Sequence, residues 1–304
     1  MKLAHWKNIA VFIGAWLIVW PAGISAQESM PIPGQRVVLV TGSTGGLGRE
    51  AAKMLALQGD HVIIHGRNVE RGEELVAEIT AEGNGSARFY RADFASLSET
   101  RALGEAILRD YDRLDVLVNN AGIFFPNSTE RRLSDDGYEL NFQVNYLSGY
   151  VLTRMLTPLL QASAPSRIIN VSSGAQQALD FDNLMLESGY EGRRAYAQSK
   201  LAQIMMTFSL AVNLSERGIV TNALHPSSLM NTDMVLEAGI EPRSSVETGR
   251  DALMRLINDD VGTGKYFRVF EEDRADPQAY DTEAVARLME ISADLVSIGV
   301  ESTY

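Results

Sequence analysis

Short apolar runs rich in β-branched residues alternate with stretches of helical composition along nearly the whole chain, and few architectures accept that order. The run "RVVLVTG" is followed by a helix-like stretch, Gly46 to Gln58, and then by "DHVIIHG". A helix is expected over Val69 to Glu82, then the strand "ARFYRAD", a helix over Leu97 to Arg109, and "LDVLVNNAG". A long helix is expected from Asp136 to Gln161, followed by "SRIINVSS", a helix from Ala195 to Glu216, and "IVTNALHP". Helical pieces follow around Val235 and from Ser245 to Ile257, then "GKYFRVF" and a last helix over Asp281 to Ile298. The strand runs do not alternate apolar with polar, so both their faces want burial. Strands joined through helices imply right-handed βαβ units. The expectation is one doubly wound α/β domain over residues 31–304, with a parallel sheet of about seven strands. Ligands of such sheets sit at the carboxyl ends of the strands.

Composition narrows the function classes. A net charge of −12 lacks the basic footprint of a nucleic-acid binder. With no cysteine the chain has no disulfide, no thiolate nucleophile and no cysteine-based metal site. His61 and His65 lie within an apolar strand run with no acidic cluster beside them, and read as structural rather than as a metal site.

The first 30 residues are a separate object. Lys2 and Lys7 precede an uncharged run from Asn8 to Gln27, which Pro21 and Gly23 interrupt. As a helix that run would span about 30 Å, borderline for a bilayer. Three readings stand: a signal peptide cut near Ser25 and Ala26, an uncleaved anchor, or a translation start at Met30. The first two give an exported or membrane-associated protein with membrane contact through residues 8–27, the third a cytoplasmic one. The lysines favour an inside N-terminus and an outside domain.

"VTGSTGGLGRE" falls where the first strand ends and the first helix begins. Gly42 can make the tight turn, Gly46 lets backbone approach a diphosphate, and Gly48 lets the helix pack on the sheet, with N-terminal amides facing the anion. The spacing is TGxxxGxG. Further motifs follow in order: "NNAG" at 119–122 ending a strand, "VNYLSGYVLT" with Asn145 inside the long helix, "RIINVSS" ending a strand, "YAQSK" at 196–200 opening a helix, and "HPSSLMNT" ending another strand. Together they resemble the short-chain dehydrogenase/reductase family over roughly residues 36–235. "DFDNL", "GKYF" and "ADPQAYDTEAVARLMEIS" are similar to its retinol-dehydrogenase-like branch.

The resemblance implies a Rossmann-type domain binding a nicotinamide cofactor through Gly42, Ser43, Thr44, Gly46, Leu47 and Gly48. It adds Asp93 and Phe94 at the adenine, Asn119, Ala121 and Gly122 in the NNAG turn, Pro226 near the carboxamide, and Thr232 at the carboxamide or the diphosphate. At the end of the second strand stand Gly66 and Arg67, with no carboxylate to repel a 2′-phosphate, and Arg67 can pair with one bidentately. NADP(H) is therefore expected over NAD(H).

Tyr196 and Lys200, four apart, share a helix face. A free tyrosine, with a pKa of about 10, is a poor base at neutral pH, and a nearby cation favours its phenolate. The resemblance makes Tyr196 the acid–base group, gives Lys200 a second task on the nicotinamide ribose, and sets Ser173, third after Asn170, on the substrate oxygen. Asn145 would hold a relay water. One departure is Pro226-Ser227, where the family usually has Pro-Gly. The implied activity is hydride transfer between NADP(H) and a small-molecule carbonyl or alcohol; a homo-oligomer is compatible with the sequence. Phe181, Leu184, Met185, Tyr190, Leu229, Met230 and Met234 are apolar pocket candidates and lean towards a lipophilic substrate. The competing reading is a non-catalytic nucleotide-binding or scaffold protein on the same fold. A Ser-His hydrolase lacks its G-x-S-x-G elbow, and an extended-type epimerase would need another glycine spacing.

Overall fold

The computed structural model describes residues 29–296. The leader or anchor expected over residues 1–30 lies almost wholly outside the described residues, as does the end of the last expected helix. Among the described residues no helix is long and apolar enough to cross a membrane.

Eight strands form one sheet: β1 Val37–Val40, β2 His61–Gly66, β3 Ser86–Arg91, β4 Val116–Asn119, β5 Ser166–Val171, β6 Ile219–His225, β7 Lys265–Arg268 and β8 Glu271–Asp273. Their order is β3-β2-β1-β4-β5-β6-β7-β8. All pairings are parallel except β7 with β8, which is antiparallel. The extra strand beyond the seven expected is this three-residue return, too short and too acidic ("EED") to read as a strand in sequence.

Side-chain alternation sorts the strands onto two cores. Val38, Val40, Val62, Ile64, Val116 and Val118 pack with helices α1 Gly46–Leu57, α2 Val69–Glu82 and α7 Val246–Asn258. Val37, Leu39, Ile63 and Leu117 pack on the other side, with α3 Leu97–Asp110, α4 Ser148–Ala162, α5 Gly192–Leu214 and α8 Thr282–Val296. A short helix, α6 Asp233–Glu237, lies above the strand ends.

The long helix expected from Asp136 begins later. Gly137 turns at φ +84°, and the buried Glu139 carboxylate accepts from the Phe142 N–H at 2.7 Å, so the helix opens only after Glu139. Its first part, Phe142–Leu147, is a π-helical turn leading into α4. Such turns are frequent at functional sites.

The chain reaches β3 at one edge and returns to β4 beside β1. That reversal opens a crevice at the carboxyl ends of β1 and β4, where ligands of open α/β sheets bind.

Candidate active site

At the reversal the turns after β1 and β4 touch. Gly42 has φ +64°, and a Cβ there would lie 2.8 Å from Ala121 Cα. Gly48 is tighter in a different way, since a Cβ on it would meet Gly42 O at 2.5 Å and Asn120 Nδ2 at 2.6 Å. Helix α1 starts behind Gly45, which gives no side-chain cap, and no acid occupies the first turn. Its leading amides are left to an outside acceptor. This donor set fits a diphosphate. Gly42, Thr44, Gly46 and Leu47 line the cleft. Ser43 turns inward instead, its hydroxyl donating to Val40 O at 2.7 Å.

The far end of the cleft is polar. Thr44, Arg67, Asn68, Arg71 and Asp93 share one recess. Arg67 is well exposed, with its Nη1 3.6 Å from Asp93 Oδ2. Asp93 is no helix cap, because Ser96 occupies that position in α3. Arg71, which the sequence reading did not select, lies one turn into α2 and pairs with Asp233 of α6 at 2.9 Å. Its signal was the four-residue spacing from Arg67. Phe94 stacks on His65 with ring centroids 4.4 Å apart.

In the turn after β4, Ala121 and Gly122 reach the cleft but the Asn119 side chain does not. Asn119 Nδ2 donates into the interior, to Thr153 Oγ1 at 2.9 Å and Asn170 Oδ1 at 2.8 Å. The cleft-facing asparagine is its neighbour Asn120, which closes on the Thr41 carbonyl at 2.8 Å. Side chains of adjacent residues diverge where a strand ends, and "NN" alone does not say which faces the ligand.

The chemistry gathers on α5. Tyr196 and Lys200 both line the cleft, with Lys200 only 4% exposed. Ser173, two residues past β5, also lines the cleft, with its hydroxyl near the Tyr196 phenol. Ser172 is committed elsewhere, its hydroxyl donating to the Lys200 carbonyl at 2.7 Å. Burial pushes the Tyr196 phenol up, opposed by the nearby Ser173 hydroxyl. Burial also pulls Lys200 down to about 7. The lysine Nζ donates to Val171 O and to Gln203 Oε1, both at 2.9 Å, and lies 5.7 Å from the Tyr196 ring centre. The expected lowering of the tyrosine by the lysine is not what this arrangement gives: burial raises the phenol, and what opposes it is Ser173. Gln203 is a further residue the sequence reading missed, three places after the lysine.

Asn145 sits in the π-helical turn. Its Oδ1 accepts from Ile123 N at 2.7 Å, and its Nδ2 donates to Ser199 Oγ at 2.9 Å. A Cβ on Gly122 would lie 3.2 Å from that Oδ1 and 3.4 Å from Lys200 Nζ, so the two groups face one glycine. Phe124 leans on Tyr196 at 4.4 Å between ring centres.

The roof comes from the segment after β6. Pro226, Ser227, Leu229, Met230 and Thr232 line the cleft. Thr232 holds the N-cap place of α6 without capping it by its side chain, and its Cγ2 stands 3.2 Å from where a Gly46 Cβ would be. The cleft encloses about 950 Å³. Phe181, Leu184 and Met185 pack on the core instead, so those three pocket candidates are packing residues. His61, as expected, is structural: it bonds Ser86 Oγ at 2.7 Å and Tyr111 OH at 3.0 Å.

The family model for short chain dehydrogenases matches residues 36–241. The chain belongs to the short-chain dehydrogenase/reductase family. Retinol dehydrogenase 13 of Homo sapiens is 35% identical, over 92% of this chain and 90% of the relative, and that of Mus musculus 33% identical, over 96% and 93%. Among solved structures, a short chain dehydrogenase of Escherichia coli CFT073 complexed with NADPH matches at TM-score 0.65 and 27% identity, covering 78% of this chain and 97% of the other. A Pseudomonas aeruginosa RhlG/NADP active-site complex matches at TM-score 0.62 and 28% identity, covering 77% and 94%. This short-chain dehydrogenase/reductase is of the retinol-dehydrogenase-like branch, an NAD(P)-dependent oxidoreductase acting on CH–OH groups.

Proposed function

We propose that the protein interconverts a lipophilic alcohol and its carbonyl compound with NADP(H) as cofactor. The observation that carries this is the convergence of Ser173, Tyr196 and the buried Lys200 on one wall of the cleft. In carbonyl reduction Tyr196 gives its phenolic proton to the substrate oxygen, while Ser173 donates a hydrogen bond to that oxygen as charge develops. Lys200, when cationic, favours the phenolate left behind. In alcohol oxidation the same groups run in reverse. Bound NADP(H) would supply or accept the hydride. Lys200 would hold the nicotinamide ribose hydroxyls, and Asn145, facing Gly122 beside it, would seat the water that relays the proton.

A lipophilic substrate is supported by the apolar side chains around the mouth: Phe124, Phe125, Leu229, Met230 and Met234. Relatives named retinol dehydrogenases agree with that class. NADP(H) preference is supported by the recess that Arg67 and Arg71 share with Thr44 and Asn68. A charged bidentate contact to a 2′-phosphate is worth about 1.5–3 kcal/mol, or roughly 10- to 150-fold in affinity.

The test is turnover of retinal and of shorter aldehydes with each cofactor, by wild type and Arg67→Ala. Preference for NADPH by tenfold or more, narrowed by the substitution, supports the reading. Equal use of NADH, or an unchanged ratio, overturns the cofactor part. Absence of turnover despite NADPH binding favours a non-catalytic nucleotide-binding protein.

A further inference from the structure

His65 is a buried titratable group for which the catalytic steps have no use. It is the penultimate residue of β2, with 2% of its surface exposed, in the wall of the cleft. Its Nδ1 accepts from the Gly42 N–H at 3.2 Å, in the turn that faces the diphosphate. Its Nε2 meets the Ala92 carbonyl at 3.2 Å, beside Asp93 at the adenine end. The ring lies on Phe94, 4.4 Å between centres and 25° between planes. The backbone repeats the link: Ser43 N donates to His65 O at 2.8 Å, and His65 N donates to Ser43 Oγ at 3.1 Å.

The partners decide the tautomer. Nδ1 faces an N–H and must be bare; Nε2 faces a carbonyl and must carry the proton. An imidazolium would set N–H against N–H at Gly42. The charged groups near the ring are Asp93 and its partner Arg67. Burial outweighs the pull of Asp93 and the Ala92 bond, and brings the imidazole down to about 4. The neutral form therefore holds throughout the range in which enzymes of this kind are assayed.

We propose that His65 is a positioning residue for the cofactor: as the neutral Nε2–H imidazole it ties the glycine turn to the end of β3, and so sets the span between the diphosphate and adenine subsites. The proposal rests on reading the cleft as the nucleotide site. A dinucleotide must satisfy both subsites at once, whereas a fragment needs only one. The tie therefore acts on whole-cofactor affinity and leaves fragment affinity and the proton-transfer groups alone.

The experiment compares wild type with His65→Leu and His65→Asn, using NADPH and 2′-AMP as probes by titration, and steady-state kinetics with one aldehyde. His65→Leu should weaken NADPH by about 10- to 100-fold, the range for a buried donor left without its acceptor. It should change 2′-AMP by less than about threefold and kcat by less than about twofold, the size left when no hydrogen bond is removed. The Asn Oδ1 can replace Nδ1 as acceptor for Gly42, so His65→Asn should recover much of the NADPH affinity. Nitrogen NMR of the wild-type histidines should show His65 as the Nε2–H tautomer at neutral pH, which needs no variant to fold. Equal losses for NADPH and 2′-AMP, loss of kcat without loss of affinity, no rescue by Asn, or an Nδ1–H or doubly protonated ring would each overturn the proposal. Wild type that binds neither probe removes the nucleotide reading itself; wild type and His65→Leu binding NADPH alike removes only the role of His65.

Discussion

Tyr196 and Lys200 titrate in opposite directions from their ordinary values for one reason, which is that partial or full burial penalises the charged form of each. A raised phenol stays protonated at neutral pH and is ready to act as an acid, but only a cationic lysine helps it let go. Lys200 is a cation below about 7 and neutral above it in the free protein. In the reduction direction kcat/KM for NADPH, which reports groups of the free protein, should therefore fall as pH rises through about 7. A profile flat across two units on either side would remove that role. Tyr196→Phe should lower kcat by about 10²–10⁴, the usual range for general acid–base groups, while NADPH affinity stays within a few fold; retention of a tenth of kcat would contradict it. The residue pair stood out in "YAQSK" through the resemblance that the ordered motifs carry, because helical spacing alone fits any helix face. Gln203 did not, since nothing in a sequence says which neighbour a buried ammonium will choose. Asn119 and Asn120 show the same limit at a strand end.

At the scale of elements, the packing of α1 on the turn behind it is the exacting contact. Gly48→Ala would drive a methyl into Gly42 O and Asn120 Nδ2, and the second of these holds the β4 turn to Thr41. We expect a loss of about 1–3 kcal/mol in stability, as for an overpacked core position, together with weaker NADPH binding; thermal unfolding and a cofactor titration read the two. Asn68 offers a contrast, because its side chain caps α2 by accepting from Arg71 N at 2.9 Å. Asn68→Ala should cost about 1 kcal/mol and loosen Arg71 with it, so the NADPH/NADH ratio should fall while kcat with saturating NADPH does not; an unchanged ratio would separate the cap from the recess. Strand and helix order was readable because β-branched runs and helical stretches differ in period. The late start of the helix before α4 was not, because Gly137 and the buried carboxylate of Glu139 act through tertiary contacts that a periodic pattern does not carry.

Over the whole molecule, one sheet carries both tasks. The glycine turn hangs on β1, the proposed proton-transfer groups follow β5 and lie on α5, and β4 joins them, so the two halves of the cleft share a continuous frame. The eighth strand has a consequence of another kind. A sheet that ended at β7 would offer a bare row of peptide groups from "KYFR" to any passing chain. β8 covers that row with Glu271, Glu272 and Asp273, two of which pair back to Lys265 and Arg268 at 2.8 and 2.6 Å. Three acidic residues make a poor template for a further strand, and two copies meeting there would bring carboxylates together. The return strand is thus a guard against fibre-like growth in a crowded solution. Glu271→Val with Glu272→Thr should leave turnover intact yet raise light scattering on concentration, and unchanged scattering would show the edge to be protected by something else.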